Sequence, residues 1–142
     1  MKKLILLLFL VPFLNGCDEN NLGGYRNPNI PNYPVSLQIN LNLPAFSNLQ
    51  FPVQHIIDLS QGARGIVVFN TGSGYTAFDL ADPNIAFQTC NQRMNINGIN
   101  AISTCQNPEV SYSLFTGLAN GQVYSMKPYR VQVSGNTLVI TN

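Results

Sequence analysis

Apolar and polar residues alternate with a period of two over much of the chain beyond Pro34. Residues 35–42 alternate throughout, with apolar side chains at odd positions and polar ones at even positions, as in a half-buried strand. Residues 65–70 form a short apolar run that a glycine-containing turn joins to residues 75–80, which predicts a β-hairpin. A second hairpin is predicted where residues 129–133 and 137–140 flank Ser-Gly-Asn. No long window beyond Pro34 has the period of an amphipathic helix, so we expect an all-β domain over residues 35–142.

The first residues have a different pattern. Two lysines precede the apolar run Leu4–Leu14, which is too short to cross a hydrocarbon core of ~30 Å as a helix. The run ends in Leu-Asn-Gly followed by Cys17. This arrangement resembles the lipobox of bacterial lipoprotein signal peptides, in which a small residue precedes a cysteine that receives diacylglycerol before cleavage. The alternative is a buried apolar helix with Cys17 as an ordinary thiol.

The lipobox resemblance implies a cellular localisation and a division of the chain into segments. Residues 1–16 would be a signal peptide, and Cys17 would be the lipid attachment site. The protein would then be exported and anchored to membrane lipid on the periplasmic or surface side of the cell envelope, with another envelope protein as a candidate partner. Residues 17–34 are rich in Asn, Gly and Pro, which favours a flexible tether, with peptide docking through the prolines as the alternative.

Composition and charge exclude several classes of function. Charged residues make up 9% of the chain, against roughly 25% in an average soluble domain. The formal net charge of +1 offers no basic face, so we expect no nucleic-acid partner. The chain has one histidine, His55, and Asp58 three positions later lies on the opposite face of a strand. We therefore expect no His-dependent catalytic set, and we predict that the protein is not an enzyme.

Two cysteine-bearing loops lie between the predicted hairpins, Cys90-Asn91-Gln92 and Cys105-Gln106-Asn107-Pro108. They are followed by a segment that ends in Thr-Gly at residues 116–117 and by Met-Lys-Pro-Tyr-Arg-Val at residues 126–131. This order resembles the Rieske-type [2Fe–2S] domain, in which C-x-H and C-x-x-H boxes lie at the tips of two loops. The resemblance covers about residues 64–140. It implies a Rieske-like antiparallel β-sandwich with a cysteine-loop subdomain inserted between its strands.

The resemblance does not extend to the metal ligands. A Rieske centre needs two thiolates and two imidazoles, but Gln92 and Pro108 stand where the histidines belong. Proline has no side-chain donor, and an amide oxygen is a hard ligand for iron in a sulfide cluster. We therefore expect no metal and no cofactor. The alternative is a degenerate [2Fe–2S] cluster held by Cys90 and Cys105.

The resemblance also implies that Cys90 and Cys105 lie close together, because both would reach toward the same iron. In an oxidising compartment such a pair favours a disulfide, with two buried free thiols as the alternative. The sequence therefore predicts a lipid-anchored, cluster-free envelope protein with a structural or protein-interaction role. Electron transfer through a degenerate iron–sulfur centre is the alternative function.

Overall fold

The structure, a computed structural model, describes residues 25–142, which contain nine strands and a single 3-10 helix. The strands are β1 (Ser36–Asn40), β2 (His55–Asp58), β3 (Ile66–Asn70), β4 (Tyr75–Asp79), β5 (Asn95–Asn97), β6 (Asn100–Ser103), β7 (Val110–Ser113), β8 (Pro128–Ser134) and β9 (Thr137–Thr141), and the 3-10 helix is Pro44–Gln50. They form a six-stranded sheet in the order β1-β9-β8-β4-β3-β2 and a three-stranded sheet in the order β5-β6-β7. Every paired strand is antiparallel. The predicted all-β antiparallel class is confirmed.

Strand β3 separates two hydrophobic cores. Every residue of β3 is buried, because both of its faces are covered. Ile66 and Val68 belong to the core of the larger sheet, together with Ile39 of β1. Val67 and Phe69 point to the other face and pack in the second core, beneath the smaller sheet. This explains why the sequence of β3 is a continuous apolar run instead of an alternating one.

The smaller sheet is the predicted inserted subdomain. It lies between β4 and β8 in sequence and carries both cysteine loops. Tyr112, Leu114 and Met126 are fully buried in the second core, where they pack with Phe69 and Phe78 of the larger sheet. The cysteine loops are thus built on a small sheet whose apolar face is covered by the larger one.

A glutamine side chain links the two edges of the larger sheet. β1 and β2 stand at opposite ends of the strand order, and Gln61 follows β2. The Ser36 backbone N–H donates to Gln61 Oε1 at 2.7 Å, and Gln61 Nε2 donates to the Ser36 carbonyl at 3.0 Å. The carboxamide therefore supplies the donor and acceptor that a neighbouring strand would offer to Ser36.

The turn before β2 contains a strained residue. Val53 has φ 65°, in the left-handed region that β-branched residues rarely adopt. It follows Pro52, and the Gln54 N–H reaches the Phe51 carbonyl at 3.4 Å, as in a type II turn. The Val53 N–H donates to the Asn70 carbonyl at 2.8 Å, which ties this turn to the end of β3. The alternation pattern did not predict this turn or the 3-10 helix before it.

Residues 25–34, which belong to the predicted tether, contact the domain. The Tyr25 hydroxyl donates to the Ser125 carbonyl at 2.8 Å, and Lys127 Nζ donates to Asn32 Oδ1 at 2.9 Å. Ile30 is buried. The predicted signal peptide 1–16 and lipid attachment site Cys17 lie outside the described residues. No helix within residues 25–142 is long and apolar enough to cross a membrane.

Candidate functional site

The two cysteine loops are joined by a disulfide between Cys90 and Cys105. Their Cα atoms are 5.9 Å apart, and they are separated by 15 positions in sequence. Cys90 is buried and Cys105 is half-buried. The predicted pairing is therefore observed, and the alternative of two free thiols is not.

Arg64 holds the first cysteine loop. Its Nη2 atom donates to the Phe87 carbonyl at 3.1 Å, to the Cys90 carbonyl at 3.0 Å and to Asn91 Oδ1 at 3.3 Å. The guanidinium carbon lies 4.0 Å from the centre of the Phe87 ring, a cation–π contact. Arg64 Nε is buried without a partner among the described residues. Sequence reasoning did not single out Arg64, because it is distant from the loop in sequence.

Asp82 holds the second cysteine loop. It is 3% exposed, and its carboxylate accepts hydrogen bonds from Gln106 Nε2 at 2.9 Å and from the Ser103 and Tyr112 hydroxyls. The Asn84 backbone N–H donates to Asp82 Oδ1 at 2.8 Å. Gln106 is adjacent to Cys105, so the carboxylate fixes the loop beside the disulfide. Burial raises the pKa of Tyr112 to about 12, which keeps this hydroxyl protonated as a donor.

The two buried aspartates have separate hydrogen-bond partners. Asp79 is fully buried and accepts from the Ala63 N–H at 2.6 Å, the Ala81 N–H at 2.8 Å and the Tyr129 hydroxyl at 2.7 Å. Burial, reinforced by the charge of Asp79, raises the pKa of Tyr129. Both carboxylates therefore organise turns and loops, in agreement with the capping role that their positions at a strand end and a turn favour.

The residues around the disulfide do not fit a [2Fe–2S] cluster in this oxidised form. Both sulfur atoms are bonded to each other, while a cluster needs free thiolates. Gln92 Oε1 already accepts a hydrogen bond from Thr104 Oγ1 at 2.9 Å, a contact that crosses from the first loop to the second. The Pro108 side chain has no atom that can ligate iron. Within residues 25–142, no group of three or more His, Cys, Asp or Glu side chains is placed to hold a metal ion.

The single histidine lies on the larger sheet, outside the cysteine loops. His55 is on β2 and pairs with Phe69 of β3. It is half-buried, and the loss of solvent lowers its pKa. Asp58 accepts from the Ser60 N–H at 2.9 Å and from the Ser60 hydroxyl, in a local turn. His55 and Asp58 are therefore each explained by local structure.

Among known proteins, two solved structures are similar to this chain. No family model matches the chain, and no curated protein matches it. A crystal structure of a protein assigned as the small subunit of an NADPH nitrite reductase aligns over 73% of this chain and 97% of its own, with 22% identity and a TM-score of 0.42. An assigned NADH-dependent nitrite reductase small subunit from Mycobacterium tuberculosis aligns over 78% of this chain and 97% of its own, with 16% identity and a TM-score of 0.44. The present chain is thus similar to these two small subunits over about three quarters of its length.

Proposed function

We propose that this protein is a cluster-free, Rieske-like domain in which a disulfide replaces the iron–sulfur cluster as the link between the two cysteine loops. It is exported, anchored to membrane lipid through Cys17, and has a structural or protein-interaction role in the cell envelope. It is not an enzyme, and it binds no cofactor. The observation that carries the proposal is the Cys90–Cys105 disulfide at the two positions where the Rieske resemblance places thiolate ligands.

The contacts on each side of the disulfide support a structural role. The first loop is held by Arg64 through backbone carbonyl groups, and the second by Asp82 through Gln106. Both loops are therefore ordered by the domain itself, in the geometry that the disulfide needs. A disulfide of this kind persists in an oxidising compartment.

Electron transfer through a degenerate cluster is the second candidate function. It is favoured by the match of Cys90 and Cys105 to the cysteine positions of the Rieske boxes. It is disfavoured by the remaining side chains at the ligand positions, because Gln92 is hydrogen-bonded to Thr104 and the Pro108 side chain has no ligand atom.

Metal analysis combined with thiol titration separates these candidates. The full chain is purified without added metal, its iron is measured, and its thiols are titrated in denaturant with and without a reductant. A Cys17→Ser background removes the remaining thiol. We expect iron-free protein in which two thiols per chain appear only after reduction. Iron near two atoms per chain, with visible absorption that fades on reduction, contradicts the proposal and supports electron transfer.

Lipid anchoring is tested on the same chain in a bacterial host. Cells are fed a palmitate analogue that can be labelled, and membranes are separated from soluble fractions. We expect the label and the membrane association in the wild type, and the loss of both in the Cys17→Ser variant. A Cys90→Ser/Cys105→Ser variant is the matched control, since it should keep both. Unlabelled wild-type protein would contradict the anchoring.

A further inference from the structure

A concave surface lies beside β7, and neither cysteine of the disulfide lines it. It is a groove of about 520 Å³ whose polar lining comes from Asn100, Ser111, Ser113, Thr116 and Asn120. This volume is within the roughly 300–1,000 Å³ of small-molecule sites, but the groove is wide open to solvent and would leave part of a ligand exposed. The groove is not part of the cysteine loops, and the proposed function does not use it.

The lining of the groove is polar but uncharged. The polar lining residues come from β6, β7 and the following loop, and their side chains are hydroxyls and amides. The hydroxyl oxygens of Ser113 and Thr116 already accept backbone N–H groups of this loop. No residue from Val110 to Met126 carries a charge. A phosphate, a carboxylate or a metal cation would therefore meet no oppositely charged side chain in this segment, which favours a neutral ligand with many hydrogen-bonding groups.

One wall of the groove is apolar and open to solvent. Leu118 lines it and is 61% exposed. Phe115 does not line the groove, because its ring packs edge-on against Phe69 of the second core with a centroid distance of 5.0 Å. The exposed Leu118 side chain shares the groove with hydroxyl and amide residues, a mixture that suits a sugar ring, which presents C–H groups on one face and hydroxyl groups at its rim.

The wall is held rigidly by backbone hydrogen bonds. The Gly117 N–H donates to the Ser113 carbonyl at 2.7 Å, and the Met126 N–H donates to the Gly117 carbonyl at 2.8 Å. Gly117 has φ 73°, and a Cβ atom there would lie 2.8 Å from the Phe78 ring. The groove is therefore preformed, which lowers the entropy lost on binding.

The free edge of β7 is too short to pair with an added peptide strand. The Ser113 N–H donates to the Leu118 carbonyl at 2.9 Å, and its carbonyl accepts from Gly117, so both of its outward groups are used. By strand alternation, Ser111 is the other residue of β7 that directs its backbone groups away from β6. Strand addition needs several successive pairs, whereas a compact ligand can use the backbone groups of Ser111 together with the side chains of the groove.

We infer that this groove binds a neutral saccharide, with the hydroxyl and amide side chains of Ser111, Asn120 and Asn100 as hydrogen-bond partners and Leu118 as the apolar wall. This site is separate from the cysteine loops. Its occupancy does not depend on whether the disulfide replaces a cluster. The loss of one proposal therefore leaves the other standing.

The test is a titration of the isotope-labelled full chain, followed by NMR. The probes are cellobiose and di-N-acetylchitobiose, with glucuronic acid as an anionic sugar and a neutral Ser/Thr/Asn decapeptide as an extended ligand. We expect saturable shifts of the amide signals between Ser111 and Gly121 with at least one neutral disaccharide. Glucuronic acid and the peptide should give no saturable shift.

Paired variants connect binding to the groove. Ser111→Ala/Asn120→Ala should raise the Kd of the disaccharide about tenfold, because two hydrogen-bonding side chains are removed. Ser36→Ala/Asn48→Ala, which changes an exposed serine and asparagine outside the groove, should leave the Kd unchanged. Four results would overturn the inference: no binding of either disaccharide, binding of the peptide in their place, equal binding of glucuronic acid, or equal weakening by the control pair. If the NMR spectrum shows that a double variant is unfolded, the Kd is measured instead for the two single substitutions of that pair.

Discussion

Replacing both loop cysteines by serine tests what the disulfide does. The bond between Cys90 and Cys105 closes a loop of 15 positions. In the chain-entropy model, a cross-link of this span removes about 3 kcal/mol of entropy from the unfolded chain. The domain has roughly 5–15 kcal/mol of stability if it is ordinary for its size, so the loss is a large share of the total.

The folded state of this variant should remain native. Arg64 forms hydrogen bonds with backbone carbonyls of the first cysteine loop. Asp82 forms hydrogen bonds with Gln106 of the second cysteine loop and with Ser103 at the end of β6. None of these contacts uses a cysteine side chain. The cost should therefore appear in the unfolded state, with a Tm lower by about 9–15 °C at ~3–5 °C per kcal/mol.

Urea denaturation followed by circular dichroism gives the measurement. Three samples are compared in a Cys17→Ser background: the oxidised protein, the same protein with a thiol reductant, and the Cys90→Ser/Cys105→Ser variant. The reduced protein and the variant should agree with each other, keep the native spectrum, and unfold about 3 kcal/mol below the oxidised protein. They should also have a larger m-value, since the unfolded chain is less constrained. A loss below about 1 kcal/mol would refute the entropic account. A variant without the native spectrum would show that Arg64 and Asp82 do not hold the loops.

Four further predictions concern single positions and pH. Gly117→Ala should destabilise by about 2–4 kcal/mol in denaturation, because it combines a left-handed backbone with a Cβ atom 2.8 Å from the Phe78 ring; an unchanged midpoint would contradict this. Asp82→Asn should cost about 2–3 kcal/mol, since it removes a buried charge that accepts several hydrogen bonds, and exchange of the amide hydrogens in the second cysteine loop should quicken. Val53→Gly should stabilise by about 0.5 kcal/mol, because relief of the strain at φ 65° exceeds the entropy of glycine; a lower Tm would count against it. Stability should fall as the pH rises from 10 toward 12, because Tyr25 and Tyr112 each have a pKa of about 12 when folded and about 10 when unfolded, and the pKa of folded Tyr129 is raised as well; ultraviolet absorbance at 295 nm would show the late ionisation of these tyrosines, and a constant midpoint over this pH range would disprove the shifts.

Five of the six strands of the larger sheet were predictable because their signals are local, whereas β2 was not predicted. The alternation at residues 35–42 and the turn residues at 134–136 fix strands and hairpins within a few positions, and the structure has β1, β8 and β9 there. The apolar run at residues 65–70 predicted a strand, but only the packing of the subdomain shows why it is buried on both faces.

The contacts that build the candidate site were not predictable in the same way. Arg64 reaches a carbonyl 26 positions away, and Asp82 reaches a glutamine 24 positions away. Such pairs depend on the tertiary fold, and no spacing pattern in the sequence shows that an arginine or an aspartate will form hydrogen bonds with a distant loop. The disulfide was predicted through the family resemblance, which supplied the proximity that the sequence pattern lacks. The contacts of residues 25–34 were missed because they are mostly side-chain bonds to loops, with no periodicity to reveal them.

The Gln61 carboxamide has a consequence for how copies of the protein behave at high concentration. An uncovered outer strand recruits the same strand of another molecule, and this is a common start of self-association. Because Gln61 occupies both peptide groups of Ser36, the first rung of such an intermolecular ladder is already taken. A strand of another molecule would therefore meet one pair of backbone groups fewer at the edge of β1, a strand that contains no charged residue.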